Sequence, residues 1–210
     1  MASLTSNGVC MAETTQTQIT PDDPRFGLAH VVSTMRGLID GTSADQFDRS
    51  TPCSEFTVKD LLNHANLVMN RVAIIGNGGH WSDVTDESVA MDQGHSEAFA
   101  KAAHATHLAW TDDSKLEQRY EVPWDELPGA AVLFSYTAEL ATHAWDLATS
   151  TGQAIEIPDD VLHGALVAAK MLPGEGRDDL EFPFDPVVDP GPAAPLLLQI
   201  AGWLGRQVAE

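Results

Sequence analysis

Glu139 and His143 stand four residues apart in "ELATHAWDLA", within a stretch otherwise built of Ala, Leu, Val, Phe and Trp. On an α-helix, positions i and i+4 share a face, separated by about 6 Å along the axis at 1.5 Å per residue. A carboxylate oxygen and an imidazole nitrogen so placed can converge on one divalent cation. The same spacing suits a plain hydrogen-bonded Glu–His pair, so the pair alone leaves both readings open. A third donor would decide, and His64 in "DLLNHANLV" is the candidate. It borders an apolar face made by Leu61, Ala65, Val68 and Val72. There it is either a packed core histidine or the third ligand of a His2Glu set, an arrangement that holds catalytic zinc with one position open.

The helix expected from about Pro128 to Ser150 must carry the pair. Ser135, Tyr136, Glu139, Thr142, His143, Asp146 and Ser150 fall along one stripe of its wheel. A surface helix has a broad polar face with Lys and Arg, and neither residue occurs from Tyr120 to Ala169. The wide apolar arc predicts a helix buried on most sides, its narrow polar stripe lining an internal pocket. Burying Glu and His there is costly unless something compensates them, and a divalent cation does so. Asp146, one turn beyond His143, either orients a ligand or proton from behind or bonds a nearby donor. His104 and His107 lie three apart in "EAFAKAAHATHLAW", where Glu97 is the nearby carboxylate, and no shared metal is expected. His30, His80 and His163 read as isolated.

Around that helix the periodicity predicts a helical bundle. Phe26, Ala29, Val32, Met35 and Ile39 recur at helical spacing after Pro24. Thr57 caps a second helix, with Asp60 in its first turn, that runs to the glycines at Gly76, Gly78 and Gly79. Residues 80–92 read as loop, and a third helix spans about Gln93 to Thr111. "LEQRYEVPWDELPG" is extended or irregular. Pro158 opens a further helix. Half of the twelve prolines lie between Pro173 and Pro195, which marks a structured loop or linker before a short closing helix in "PLLLQIAGWLGRQ". The expected organisation is a flexible tail over residues 1–20, a helical bundle over 21–172, and a Pro-rich extension over 173–210 whose short helix packs on the bundle.

Composition narrows the function. With 210 residues the chain can bury a single core without staples. Thirty-one acidic against eleven basic residues give a net charge of −20. Such a field repels phosphate backbones and anionic headgroups, so nucleic acid and membrane surfaces are poor partners. Cys10 and Cys53 build neither a disulfide framework nor a cysteine metal site, which fits a reducing cytoplasm. The first twenty residues lack a basic start and a continuous apolar run, so no signal peptide is expected. No apolar run approaches the length of a membrane span.

"TPCSEFTVKDLLNHANLVMNRVA" and "PGAAVLFSYTAELATHAWDLATSTGQ" together resemble the DinB-like bundle family. They are most similar to its actinobacterial branch, which includes mycothiol-dependent maleylpyruvate isomerase. "FPFDPVVDPGPAAPLLLQIAGWLGRQ" resembles that branch's closing segment, so the likeness covers roughly Pro24 to Gln207. The resemblance implies an all-α fold, a DinB-like four-helix bundle holding a divalent metal, most readily zinc, on His, Glu and His. Those ligands fall on His64, Glu139 and His143. It also implies a low-molecular-weight thiol such as mycothiol or bacillithiol as co-substrate, with a small electrophile as its partner, in a monomer or homodimer. The expected activity is thiol transfer or isomerisation. The alternatives are a metal-dependent hydrolase activating water, and a bundle that binds metal or a small molecule without turnover. In the branch's isomerase a fuller C-terminal domain supplies a substrate-binding arginine. Here Arg177 and Arg206 are the sole late arginines.

Overall fold

The computed structural model describes residues 20–177 and 184–208. The tail expected over residues 1–20 lies outside that description except for Thr20, as does Cys10. Helix α1 (Pro24–Asp40) starts where the Asp23 carboxylate accepts from the Arg25 N–H at 2.9 Å and Pro24 fills the first turn. Helix α2 (Val58–Gly76) starts on a reciprocal cap, the Thr57 N–H donating to Asp60 at 3.0 Å and the Asp60 N–H to the Thr57 hydroxyl at 3.3 Å.

The segment expected as loop over 80–92 contains a 3-10 turn, Trp81–Asp83, and one helical turn, α3 (Asp86–Val89). Both are held by local caps, from His80 and Thr85, which a search for apolar periodicity does not register. Helix α4 (His95–Ala109) follows. The segment read as extended or irregular is a hairpin, β1 (Arg119–Val122) against antiparallel β2 (Asp125–Pro128). Its turn is Pro123–Trp124, with Val122 opposite Asp125. Helix α5 (Gly129–Thr151) is the longest, α6 (Asp159–Ala169) starts directly after Pro158, and α7 (Leu196–Trp203) follows the proline-rich stretch.

Helix α5 is central: α1, α2, α6, α7 and the hairpin all pack on it. That position explains its unusually wide apolar arc, since there is little solvent for a polar face to meet. The main core runs through Val31, Met35, Leu61, Met69, Leu140 and Leu147, all fully buried. A second cluster around Val72, Trp110, Val132 and Leu133 fills the hairpin end. Helix α4 is tied to α2 by the Thr106 hydroxyl donating to the Met69 carbonyl at 2.8 Å and the Trp110 indole donating to that of Val72 at 2.9 Å. Gly76 permits this approach, because a Cβ there would sit 2.5 Å from Trp110 Nε1. Among the described residues no helix is long and apolar enough to cross a membrane.

Candidate metal centre

Direct packing of α2 on α5 brings His64 to Glu139 and His143. His64 Nε2 lies 3.1 Å from Glu139 Oε1. The two imidazole rings stand 4.8 Å apart, centroid to centroid, inclined at 71°. One donor atom from each of the three residues lies within 4.8 Å of the others. Side-chain exposure is 17% for His64, 16% for Glu139 and 6% for His143, so the cluster is sheltered without being sealed. Among the described residues His104 and His107 belong to no comparable group.

The donor set suits a divalent cation of the zinc type, with two imidazoles and one carboxylate. Bond lengths of about 2.0–2.2 Å place such donors roughly 3.5 Å apart, inside the 4.8 Å that bounds their separations here. His143 is held ready for the role. Its Nδ1 lies 3.0 Å from Asp146 Oδ2, and a proton on Nδ1 leaves Nε2 as the free donor. Asp146 is fully buried and bonded in turn by Arg206, whose Nε lies 3.0 and 3.1 Å from its two oxygens. Arg206 reaches inward because the chain turns at Gly205, where φ is +86° and a Cβ would meet the Asp185 backbone at 2.7 Å.

The electrostatics favour the same protonation states. Burial depresses the His143 pKa below the usual histidine value, and the nearby His64 and Arg206 act in the same direction against the bond to Asp146. The imidazole is therefore neutral at pH 7, as a ligand must be. Burial works against the Glu139 carboxylate, but the His64 hydrogen bond, with the charges of His64, His143 and Arg71, holds its pKa below the ordinary glutamate range.

The polar stripe of α5 divides along its length. Tyr136, Thr142, His143 and Asp146 are buried, and Thr142 returns its hydroxyl to the Ala138 carbonyl at 2.9 Å. Ser150, half-buried, bonds the Asp146 carbonyl at 2.8 Å. Ser135 and Glu139 face a pocket of about 280 Å³ between the hairpin turn, α5, the end of α6 and the C-terminal segment. Its walls are mainly Trp124, Leu127, Met171, Leu172, Phe184 and Leu204.

Two residues at the cluster carried no expected role. Phe56 lies over both imidazoles, 4.9 Å from the His64 ring and 5.9 Å from that of His143. Its sequence signal is its place just before the cap Thr57, where an apolar residue fixes the entry of the chain. Arg206 is sixty residues from Asp146. The signal for it is indirect, a lone aspartate in an apolar helix that needs a cationic partner. His80, read as isolated, caps the turn after it and lies 3.2 Å from Glu121.

Fold and site together define a mostly helical protein with a potential metal-binding triad shared by two packed helices. The chain belongs to the mycothiol maleylpyruvate isomerase N-terminal domain family, a DinB-like family whose profile matches residues 28–148. Uncharacterized proteins of Mycobacterium tuberculosis, from strains CDC 1551 / Oshkosh and H37Rv, are 29% identical to it over 192 residues. Those alignments cover 89% of this chain and 99% of each relative. No solved structure matches the chain.

Proposed function

We propose that this protein is a divalent-metal-dependent thiol transferase or isomerase that uses a mycothiol-type thiol on a small electrophilic substrate in the cytoplasm. The observation that carries the reading is the convergence of His64, Glu139 and His143 beside an apolar pocket, in a chain of this family. On this reading α1, α2, α4 and α5 form the DinB-like four-helix bundle, within a metal-holding unit over residues 21–172. Residues 173–210 are the extension that closes it.

His64, Glu139 and His143 would hold the ion, with zinc the best match to the donors. A cation there would favour the thiolate form of a bound thiol at neutral pH. The chain's own residues then organise the rest. Asp146 keeps the His143 proton on Nδ1, while Phe56 shields both imidazoles from water. The sulfur forms a bond to an electrophilic carbon as the π pair of an adjoining C=C shifts to a carbonyl oxygen. Proton uptake completes conjugation, whereas rotation followed by loss of the thiolate completes isomerisation.

The test combines metal analysis with assays in the presence and absence of mycothiol. About one ion per chain is expected, with His64→Ala losing it while the helical circular dichroism signal persists. Turnover of an α,β-unsaturated carbonyl compound should require the thiol. A stoichiometric ion that survives replacement of all three residues would overturn the reading. Turnover with water alone would favour hydrolysis, and saturable binding without product would favour a non-catalytic role.

A further inference from the structure

Two hydrogen-bond donors beside the triad are left without partners. The Tyr136 hydroxyl is buried and has none among the described residues. The charged groups that act on it are Glu139 and Arg71. Glu139 is bonded to His64 at 3.1 Å and would be engaged by the cation, so it does not supply the missing acceptor. Arg71 offers donors alone. That arginine is itself fixed at one edge and open at the other. Its Nε donates to the Val84 carbonyl at 3.2 Å, and its guanidinium carbon lies 5.5 Å from the centroid of the Trp81 ring. Its two terminal nitrogens make no hydrogen bond or ion pair among the described residues. A guanidinium anchored in this way presents its free edge with little entropy left to lose.

The two donors belong to the same end of the site. His64 meets Glu139, while Val72 shares a cluster with Val132, Leu133 and Tyr136, so α2 and α5 run in opposite directions here. Arg71, two turns beyond His64, therefore lies toward Tyr136, one turn before Glu139. The Tyr136 ring packs against that of Trp124 at 5.4 Å, and Trp124 lines the pocket beside Glu139, which Tyr136 does not. Trp124 sits in the two-residue hairpin turn and is 36% exposed, so its indole can swing off the phenol without disturbing a helix.

We infer that Tyr136 and Arg71 receive the carbonyl oxygen of the electrophile, with Trp124 moving aside, and stabilise the charge that oxygen gains as sulfur adds. The inference rests on the proposed thiol chemistry for the fate of the bound carbonyl. As the sulfur–carbon bond forms and the C=C π pair moves to oxygen, the hydroxyl donates a hydrogen bond there and keeps its own proton, while the guanidinium supplies positive charge. The proton that completes conjugation comes from solvent. In isomerisation the pair returns from oxygen as the thiolate leaves. Burial, the largest influence on the phenol, raises its pKa whether or not an ion occupies the triad. A cation on Glu139 would add to the positive field at the oxygen, so the two donors and the triad act together.

Tyr136→Phe and Arg71→Met, compared with the unaltered full-length protein at equal metal content, test it by two readouts. With mycothiol and the enone benzylideneacetone, Tyr136→Phe should lower kcat about 100-fold, the scale for one lost oxyanion donor, and leave KM within about two-fold. Arg71→Met should lower kcat about ten-fold or more. The second readout needs no turnover. Benzylacetone, the saturated and unreactive ketone, is isotope-labelled at its carbonyl carbon and its infrared stretch is recorded in the bound state. The stretch should lie at lower wavenumber in the unaltered protein than in Tyr136→Phe. An unchanged stretch would overturn the inference, as would failure of the ketone to bind or, in an active parent, an unchanged kcat. If Arg71→Met fails to fold, Tyr136→Phe decides alone. A lowered stretch in a protein without thiol-dependent turnover would retain the oxygen-binding pair and remove the thiol mechanism.

Discussion

Tyr136 buries a polar atom near Glu139, at a cost to stability. The residue is 2% exposed, its ring packs tilted against that of Trp124 at 5.4 Å, and its buried hydroxyl has no hydrogen-bond partner among the described residues. Burial, with the Glu139 charge, raises its pKa, so the phenol stays protonated. An unpaired buried hydroxyl costs about 1–3 kcal/mol, so Tyr136→Phe should stabilise the protein by about 1 kcal/mol and raise its Tm by about 2–4 °C. A thermal melt showing a lower Tm would mean the hydroxyl has a structural partner. Glu139 and His143 were legible in the sequence because their spacing on an apolar helix is itself the signal. His64 was legible only as a border residue, since its meaning depends on how α2 is rotated against α5. Phe56 and Arg206 lie outside regular periodicity, and their roles arise from contacts between distant segments.

At the level of elements, the joint between α5 and the chain after α7 is the most sensitive. The Arg206–Asp146 pair is almost wholly withdrawn from water, and removing one member leaves an uncompensated buried charge, a loss of about 3–5 kcal/mol. Arg206→Met should therefore lower stability by that amount in urea unfolding, and the added change Asp146→Asn should recover part of it. Equal destabilisation by the single and double variants would show that packing, not charge, holds the joint. The helices were legible from apolar periodicity and caps, because Thr57, Asp60 and Pro158 act over one turn. The hairpin was not, because prolines at 123 and 128 mask four-residue strands whose pairing depends on the neighbouring strand. The turns within residues 80–92 escaped because hydrogen bonds rather than buried apolar residues hold them.

For the whole molecule, the net charge of −20 opposes compaction through self-repulsion. Raising salt from about 0.01 M to 1 M shortens the screening length from about 30 Å to about 3 Å. Melting temperature should rise across that range, and a fall in differential scanning calorimetry would show that attractive ion pairs outweigh the repulsion. The surface charge was readable in full from composition, whereas the central position of α5 required the packed structure. The sixty-residue separation of Asp146 and Arg206 also bears on biosynthesis. A ribosome releases α2 and α5 well before it releases residue 206, and N-terminal regions begin to fold during translation. Throughout that interval the nascent chain holds a carboxylate that the packed helices bury and nothing yet neutralises. The final clamp on His143 is thus a late event of synthesis, and any product ending before residue 206 would present the three donors on an unfinished support.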